Sequence, residues 1–216
     1  MNSILSTKKL TPSQRGLISQ LGVRFVEYDA IKITAVNFKV PNNIENAIFT
    51  SQNALRSFFN EKNLKKQTFN CYCVGLKTKQ LLEENGQKVI KMANNASELA
   101  NYIANSCENE VFYHFCGNLR REEISLALNK AKIELFEVKT YETILISKKF
   151  DEKWDKILFF SPSGVESFTS ENNIGNSLAI CIGETTASEA QKHTDNIIIS
   201  RETTIESVLK EIIKRH

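Results

Sequence analysis

The sequence has few of the residues that most often do chemistry. Its 216 residues include only three histidines, and none forms a triad or a metal-ligand spacing with its sequence neighbours. His114 sits inside the apolar run VFYHF and reads as a core residue, His193 falls on a late helix, and His216 is terminal. Neither GxGxxG nor GxxxxGK(S/T) occurs, so no dinucleotide or P-loop nucleotide is indicated. Charge of one sign is also scarce. The 28 basic and 25 acidic residues interleave to a net +3, unlike the clustered basic face of a nucleic-acid binder, and a small polyanionic ligand stays open. No apolar run approaches the roughly 18 residues of a membrane span, and the N-terminus lacks a long apolar h-region. A soluble, cytoplasmic protein with no membrane or nucleic-acid partner is expected. Nothing suggests an oligomer seam, so a monomer is expected too.

The five cysteines are odd in number, and three lie in strand-like apolar runs, which suits a reducing compartment. Cys71 and Cys73 alternate on one strand and share a face. They fit either small packing residues or a metal or redox pair, although no histidine lies near them in sequence to complete a zinc site.

What is present is a unit used twice. AIFTSQNALRSF at 47–58 and ILFFSPSGVESF at 157–168 each read as a short apolar strand, small polar residues and a helix, with Ser51 and Ser161 standing 110 residues apart. CVGLKTKQLL from Cys73 and CIGETTASEA from Cys181 follow at an offset of 108: Gly75 and Gly183 end a strand, and Thr78 and Thr186 open a helix. An internal repeat of this kind predicts two similar α/β lobes facing each other across a cleft.

The rest of the chain fits that frame. NSILS at 2–6 reads as a strand. Thr11, Pro12 and Gln14 predict a capped helix ended by Gly22, and VRFVEYDAIKI reads as one second strand with Val23, Phe25, Ile31 and Ile33 inward. TAVNFKVP at 34–41 reads as a connector broken by Pro41. Strands are expected at 47–49, 70–74, 88–91 and 111–115, with helices at 52–60, 77–85, 97–106 and 121–131; Gly86 ends the second helix, and Ile124, Leu126 and Leu128 carry the last. The β-rich 133–147 mirrors the first connector, and strands at 157–160, 178–182 and 197–199 alternate with helices from about 163, 186 and 204. The expected fold class is therefore α/β, two similar lobes with parallel sheets flanked by helices and joined by a two-stranded linker. The first lobe is discontinuous, residues 1–33 plus 148–216. The second, 41–137, is inserted, with 34–40 and 138–147 as connecting strands.

In such sheets ligands bind outside the carboxyl ends of the strands. The residues there are Thr50 and Ser51, Gly75 with Thr78, Cys116 to Asn118 including Gly117, Ser161 with Ser163 and Gly164, and Gly183 with Thr185 and Thr186. Small residues at a strand-to-helix turn expose the helix's unpaired N–H groups, which carry partial positive charge and bind anions. Each turn singly also fits a plain N-cap; the recurrence in both lobes favours an anion site, with Lys8, Lys9, Lys77, Arg120 and Arg121 at the same rim. Tyr141, in the second connector, can donate a proton or hydrogen bond to a leaving oxygen, or serve as an ordinary strand aromatic.

These residues resemble the uroporphyrinogen-III synthase family. The matching pieces are FTSQNAL (49–55), CVGLKT (73–78), CGNLRRE (116–122), TYET (140–143), FFSPSGVESF (159–168) and IGETTASEA (182–190), in the family's order. The resemblance implies two α/β lobes with the first discontinuous. It implies conversion, without cofactor or metal, of hydroxymethylbilane, a linear tetrapyrrole with eight carboxylates, to uroporphyrinogen III with ring D inverted. The steps it implies are loss of the ring A hydroxyl to an azafulvene, attack by ring D to a spiro intermediate, and recombination. Tyr141 matches the tyrosine that assists hydroxyl loss, and Thr50, Ser51, Gly75, Ser161, Ser163, Gly164, Gly183, Thr185 and Thr186 match the substrate-contacting turns. The chain departs from the family at Ser6-Thr7-Lys8-Lys9, where Thr-Arg-Pro is frequent; Lys8 keeps the charge but not the planar fork that pairs two carboxylate oxygens. The reading from another class is a non-catalytic two-lobed sensor for a small polyanion, which would bind without turnover.

Overall fold

The computed structural model describes residues 2–39, 43–60 and 68–215; the expected break at Pro41 lies outside them. The chain runs β1 (Ser3–Ser6), α1 (Pro12–Gly16), β2 (Arg24–Glu27), β3 (Ile31–Ala35), β4 (Asn46–Phe49), α2 (Gln52–Asn60), β5 (Asn70–Val74), α3 (Leu76–Glu84), β6 (Lys88–Ala93), α4 (Ala96–Ser106), β7 (Val111–Gly117), α5 (Glu123–Lys130), β8 (Glu134–Leu145), β9 (Lys156–Phe159), α6 (Pro162–Thr169), β10 (Leu178–Cys181), α7 (Glu184–Ala190), β11 (Ile197–Ile199) and α8 (Ile205–Ile213). Two compact units result, one made of Met1–Lys32 with Ile144–His216 and the other of Ile33–Thr143.

The first unit holds a five-stranded sheet ordered β11-β10-β9-β1-β2, with every neighbouring pair parallel. The second holds a six-stranded sheet. Read from β6 it is β6-β5-β4-β7-β8-β3, parallel from β6 to β8. Apart from the edge strand β3, the two orders coincide, with β9 in the place of β4, β10 of β5, β11 of β6, β1 of β7 and β2 of β8. Of the stretches expected to connect lobes, 34–40 supplies the last two residues of β3 and 138–147 the second half of β8, and these two strands are neighbours in the second sheet.

Strand alternation accounts for the cores. Ile157, Phe159, Leu5, Ala179 and Cys181 pack on one face of the first sheet under α6 and α7, while Ile4, Leu158 and Ile180 pack on the other with Val208, Leu209 and Ile212 of α8. In the second unit Ala47, Phe49, Cys71, Cys73 and Phe115 share one face with Phe58, and Ile48, Tyr72 and Phe112 share the other with Leu99, Ile103 and Leu128. The central strands β4 and β9 are buried along their whole length, which only a sheet covered on both sides requires. All five cysteines are free and buried; Cys71 and Cys73 face one core, and burial pushes the Cys73 thiol up to about 11. Each fully buried Phe contributes roughly 1.5–3 kcal/mol of transfer free energy.

Local signals set the helix starts. Thr11 and Gln14 form a reciprocal capping box on α1, Asn95 caps α4, and Thr204 caps α8. Gly86 takes the left-handed conformation at the end of α3, as its position predicts; Gly22 is left-handed too but closes a 3₁₀ turn at Ser19–Leu21, because α1 stops at Gly16, short of the end expected for it. Two expectations are corrected. VRFVEYDAIKI is two strands: Tyr28 N–H and Ala30 N–H bond to the carbonyls of Ser6 and Thr7 at the end of β1, after which the chain leaves the first sheet. Ile31 and Ile33 thus belong to the other sheet, and Ile33 is exposed. In α5, Ile124 and Leu128 lie one turn apart and are buried, whereas Leu126 faces solvent.

Candidate active site

Both sheets reverse strand order at their central strand. In the second unit this happens between β4 and β7, and in the first between β9 and β1. The crevice outside the carboxyl ends of such a pair is where doubly wound sheets bind ligands. The residues following those strands are Thr50-Ser51 and Gly117-Asn118 in one unit, and Ser161 to Gly164 and Thr7-Lys8 in the other.

In the second unit the turn after β7 is shaped for one aromatic ring. The β7–β8 register shifts between Cys116 and Gly117, so that Gly117 pairs with Tyr141. A Cβ placed on Gly117 would lie 2.5 Å from Tyr141 Cζ and 2.9 Å from its hydroxyl. Only glycine admits the ring there. The phenol interacts electrostatically with the Ser51 hydroxyl at the end of β4, a hydroxyl that also accepts the Asn53 N–H at 3.1 Å. Burial raises the Tyr141 pKa, against a smaller lowering by the Ser51 contact and a further rise from Cys116. The group is therefore a protonated O–H donor at neutral pH. Asn118 is spent on architecture: its amide donates to the Thr143 carbonyl and accepts the Thr143 N–H at 2.7 Å, fastening the turn to β8.

Thr50, beside Ser51, contacts His114 Nε2 at 3.3 Å. His114 is 2% exposed and stands opposite Glu137 in the β7–β8 ladder. Glu137 carries the Arg120 guanidinium as a two-point pair. The His114 ring and the Arg120 guanidinium hold the Glu137 carboxyl down at about 2. Of the cations expected at the rim, Arg120 is thus engaged with Glu137, and Arg121 lies 3.6 Å from Glu123. The Glu137–His114 pairing was missed in the sequence. The signal for it was Glu27, which stands the same 110 residues before Glu137 as Ser51 before Ser161.

Gly75, after β5, has φ 84° and ψ 145° and caps α3 without a side chain. Its carbonyl accepts the Thr78 and Lys79 N–H groups. Thr78 itself is buried, so this turn presents backbone and the exposed Leu76 to solvent. Leu119, next to Asn118, is exposed as well.

In the first unit Ser161 caps α6, accepting the Gly164 N–H at 3.0 Å, and its hydroxyl meets that of Ser163 at 3.2 Å. Gly164 fits tightly between Ser161 and Thr7, which lie 3.2 and 3.5 Å from the site of a Cβ. Thr7 is tied to the Leu158 carbonyl at 2.7 Å. Lys8 is exposed, and its carbonyl accepts from Ser6 Oγ. The turn before α7 is the least suited to an anion: Gly183 and Thr186 are buried, Thr185 is exposed, and Glu184 puts a negative charge in the first helical turn. Thr50, Ser51, Gly117, Asn118 and Tyr141 are therefore brought together in one unit, and Ser161, Ser163, Gly164 and Lys8 at the corresponding strand ends of the other. Thr78 and Thr186 are sealed inside.

A family model described as uroporphyrinogen-III synthase HemD matches residues 14–210. No curated protein sequence matches the chain. Among solved structures, the uroporphyrinogen-III synthetase of Helicobacter pylori 26695 is similar at TM-score 0.72 and 19% identity, over 100% of both chains. A mutant uroporphyrinogen III synthase of the extremely thermophilic bacterium Thermus thermophilus is similar at TM-score 0.70 and 12% identity, over 99% of this chain and 98% of that one.

Proposed function

The chain belongs to the uroporphyrinogen-III synthase family, and from that premise we propose how its residues carry out the family's reaction, the cyclisation of hydroxymethylbilane to uroporphyrinogen III with ring D inverted. Tyr141 donates its phenolic proton toward the ring A hydroxyl as the C–O bond breaks and water leaves. The resulting azafulvene is attacked by ring D, and the spiro intermediate recombines to the inverted macrocycle. What the protein supplies beyond that proton is shape, since positioning a flexible chain for ring closure is itself a large part of the barrier.

The observation that carries this reading is Tyr141 seated on Gly117 beside Ser51, a neutral O–H donor next to a strand-order switch point. Half-buried, with its pKa raised above the ordinary tyrosine value by desolvation, the phenol stays protonated at working pH and keeps its donor for the leaving oxygen. Each unit offers turns whose backbone N–H groups suit the substrate's carboxylates, at Ser51 and Gly75 in one and at Ser161 in the other, and Leu76 and Leu119 suit its pyrrole faces. Lys8 adds charge at the end of β1. The enzyme works as a cytoplasmic monomer on a small-molecule substrate, without cofactor and without a nucleic-acid or membrane partner; among the described residues no helix is long and apolar enough to cross a membrane.

The test generates hydroxymethylbilane in situ in the presence of the protein, oxidises the products and separates the type I and type III uroporphyrins. Predominant type III is expected. Type I alone from demonstrably folded protein, the result of spontaneous closure, overturns the catalytic reading and leaves a binding protein.

A further inference from the structure

The β7–β8 ladder carries a cluster that the reaction above does not use. His114 and Cys116 alternate along β7 and face the same side, and Glu137 stands opposite His114 on β8. One donor atom from each, an imidazole nitrogen, Sγ and a carboxylate oxygen, lies within 4.8 Å of the others.

A second observation points the same way. The His114 ring is buried and its Nε2 is engaged with Thr50 Oγ1. Its Nδ1 is 3.8 Å from Glu137 Oε1, beyond hydrogen-bond reach, and has no hydrogen-bond partner. Buried polar atoms are nearly always satisfied, and one left without a partner is destabilising. Neither tautomer satisfies Nδ1: with the proton it points at a carboxylate oxygen too far away to bond, and without it a lone pair faces that oxygen. A cation between the two groups takes the Nδ1 lone pair and the carboxylate together, with Nε2–H donated to Thr50.

We propose that His114 Nδ1, Cys116 Sγ and Glu137 Oε1 form a binding site for a divalent cation of the zinc class. Thiolate, imidazole and a single carboxylate are the donors that zinc and cobalt take, whereas magnesium and calcium require mostly oxygen. Around a tetrahedral ion with the usual bond lengths, such donors stand roughly 3.4–3.6 Å apart. The His114–Glu137 pair is already close to that, and the cluster needs to draw in by about 1 Å elsewhere. Three protein ligands leave the fourth position to water. On ligation the Cys116 S–H bond breaks, its proton passes to solvent, and the sulfur–metal bond replaces it. Glu137 is the entry side, being the exposed member, and its Arg120 partner shares or yields one carboxylate oxygen when the cation arrives.

The repeat isolates this feature to one unit. In the first unit the corresponding ladder pairs Ser6 with Glu27, and Glu27 again carries an arginine, Arg15. The carboxylate and its arginine are therefore common to both, while the imidazole and thiol occur only at β7. The proposal is independent of the reaction assigned above.

The experiment titrates the metal-free full chain with Co²⁺ and then Zn²⁺, followed by absorption and calorimetry. One equivalent of Co²⁺ is expected to give a thiolate-to-cobalt charge-transfer band with tetrahedral ligand-field bands, both displaced by Zn²⁺. Cys116→Ala should abolish the charge-transfer band, Cys73→Ala should retain it, and Glu137→Gln should weaken affinity at least tenfold. Absence of the band from folded wild-type protein, or its persistence in Cys116→Ala, overturns the site. If Cys116→Ala does not fold, Glu137→Gln at its partly exposed position decides, and unchanged affinity there overturns it equally.

Discussion

The two units share a strand order and a set of turns, yet the same serine does different work in each. Ser161 spends its hydroxyl inside its own turn, capping α6 through the Gly164 N–H and touching Ser163. Ser51, at the matching place, reaches across to the Tyr141 phenol. The strand beside each follows suit. Opposite Glu27 the first unit places Ser6, and opposite Glu137 the second places His114. One unit thus carries small, internally satisfied hydroxyls at its turns; the other has the corresponding turns and adds a phenol, an imidazole and a thiol. The repeat supplies two equivalent positions, and those three groups stand at only one of them.

Four measurements break or sharpen that contrast, from the largest effect down. Tyr141→Phe is expected to lower turnover by about a hundredfold or more, the range of a lost general acid, with the fold unchanged by circular dichroism. The first-unit variant Ser161→Ala, at the place that matches Ser51, should cost about 1 kcal/mol as a lost helix cap and only a few-fold in rate. Similar rate losses in the two variants would remove the asymmetry.

The second pair compares glycines. Gly117→Ala puts a methyl 2.5 Å from the Tyr141 ring, which cannot retreat without leaving Ser51; a loss of about 1–3 kcal/mol, as for overpacking, and a fall in turnover approaching that of Tyr141→Phe are expected. Gly164→Ala meets the Ser161 hydroxyl at 3.2 Å, a group that can rotate, so denaturant unfolding should shift by under about 1 kcal/mol. An undisturbed Gly117→Ala enzyme would mean that the tyrosine does not need its seat.

The third concerns pH. Glu137 in the folded chain titrates at about 2, below its ordinary value of 4.5, so the folded state favours its ionised form. That stability is fully present above the ordinary value and is lost as pH falls from about 4.5 toward 2. Glu137→Gln should accordingly melt below wild type near neutral pH, with the gap in Tm closing across that window. A gap independent of pH would assign the loss to packing instead of charge.

The smallest effect is expected from Ser163→Asp, which places a like charge at an anion-binding turn of the first unit. KM should rise several-fold, by less than the roughly tenfold that 1.4 kcal/mol represents, with kcat little changed. An unaltered KM would take that turn out of the substrate's path.

Much of this was legible without coordinates. The offset repeat, the capping residues Thr11 and Gln14, and the position of Gly86 are local signals, and most of the helices and strands formed within a residue or two of where the pattern puts them; α1 is the exception, stopping at Gly16 while Gly22 closes a separate 3₁₀ turn. Small residues after β4, β5, β7 and β9 marked the carboxyl ends of the strands in both sheets, because a strand-to-helix turn needs them there. The sites of Thr78 and Thr186 were not legible: a threonine opening a helix is equally good pointing into the core, and burial is decided by what packs on it. The same holds for the split at Tyr28–Ala30, where pairing with β1 runs out and the chain crosses to the other sheet; no residue in VRFVEYDAIKI announces it.

The sequence by itself determined the secondary structure, the duplication and the alternation that gives each sheet two buried faces, since these follow from periodicity and turn chemistry within a few residues. Only the tertiary structure decided the register. The shift at Cys116–Gly117 that seats Tyr141, and the pairing of His114 with Glu137 across two strands, depend on contacts over 20 residues apart in the chain, and a slip of one residue would turn every one of those side chains to the opposite face.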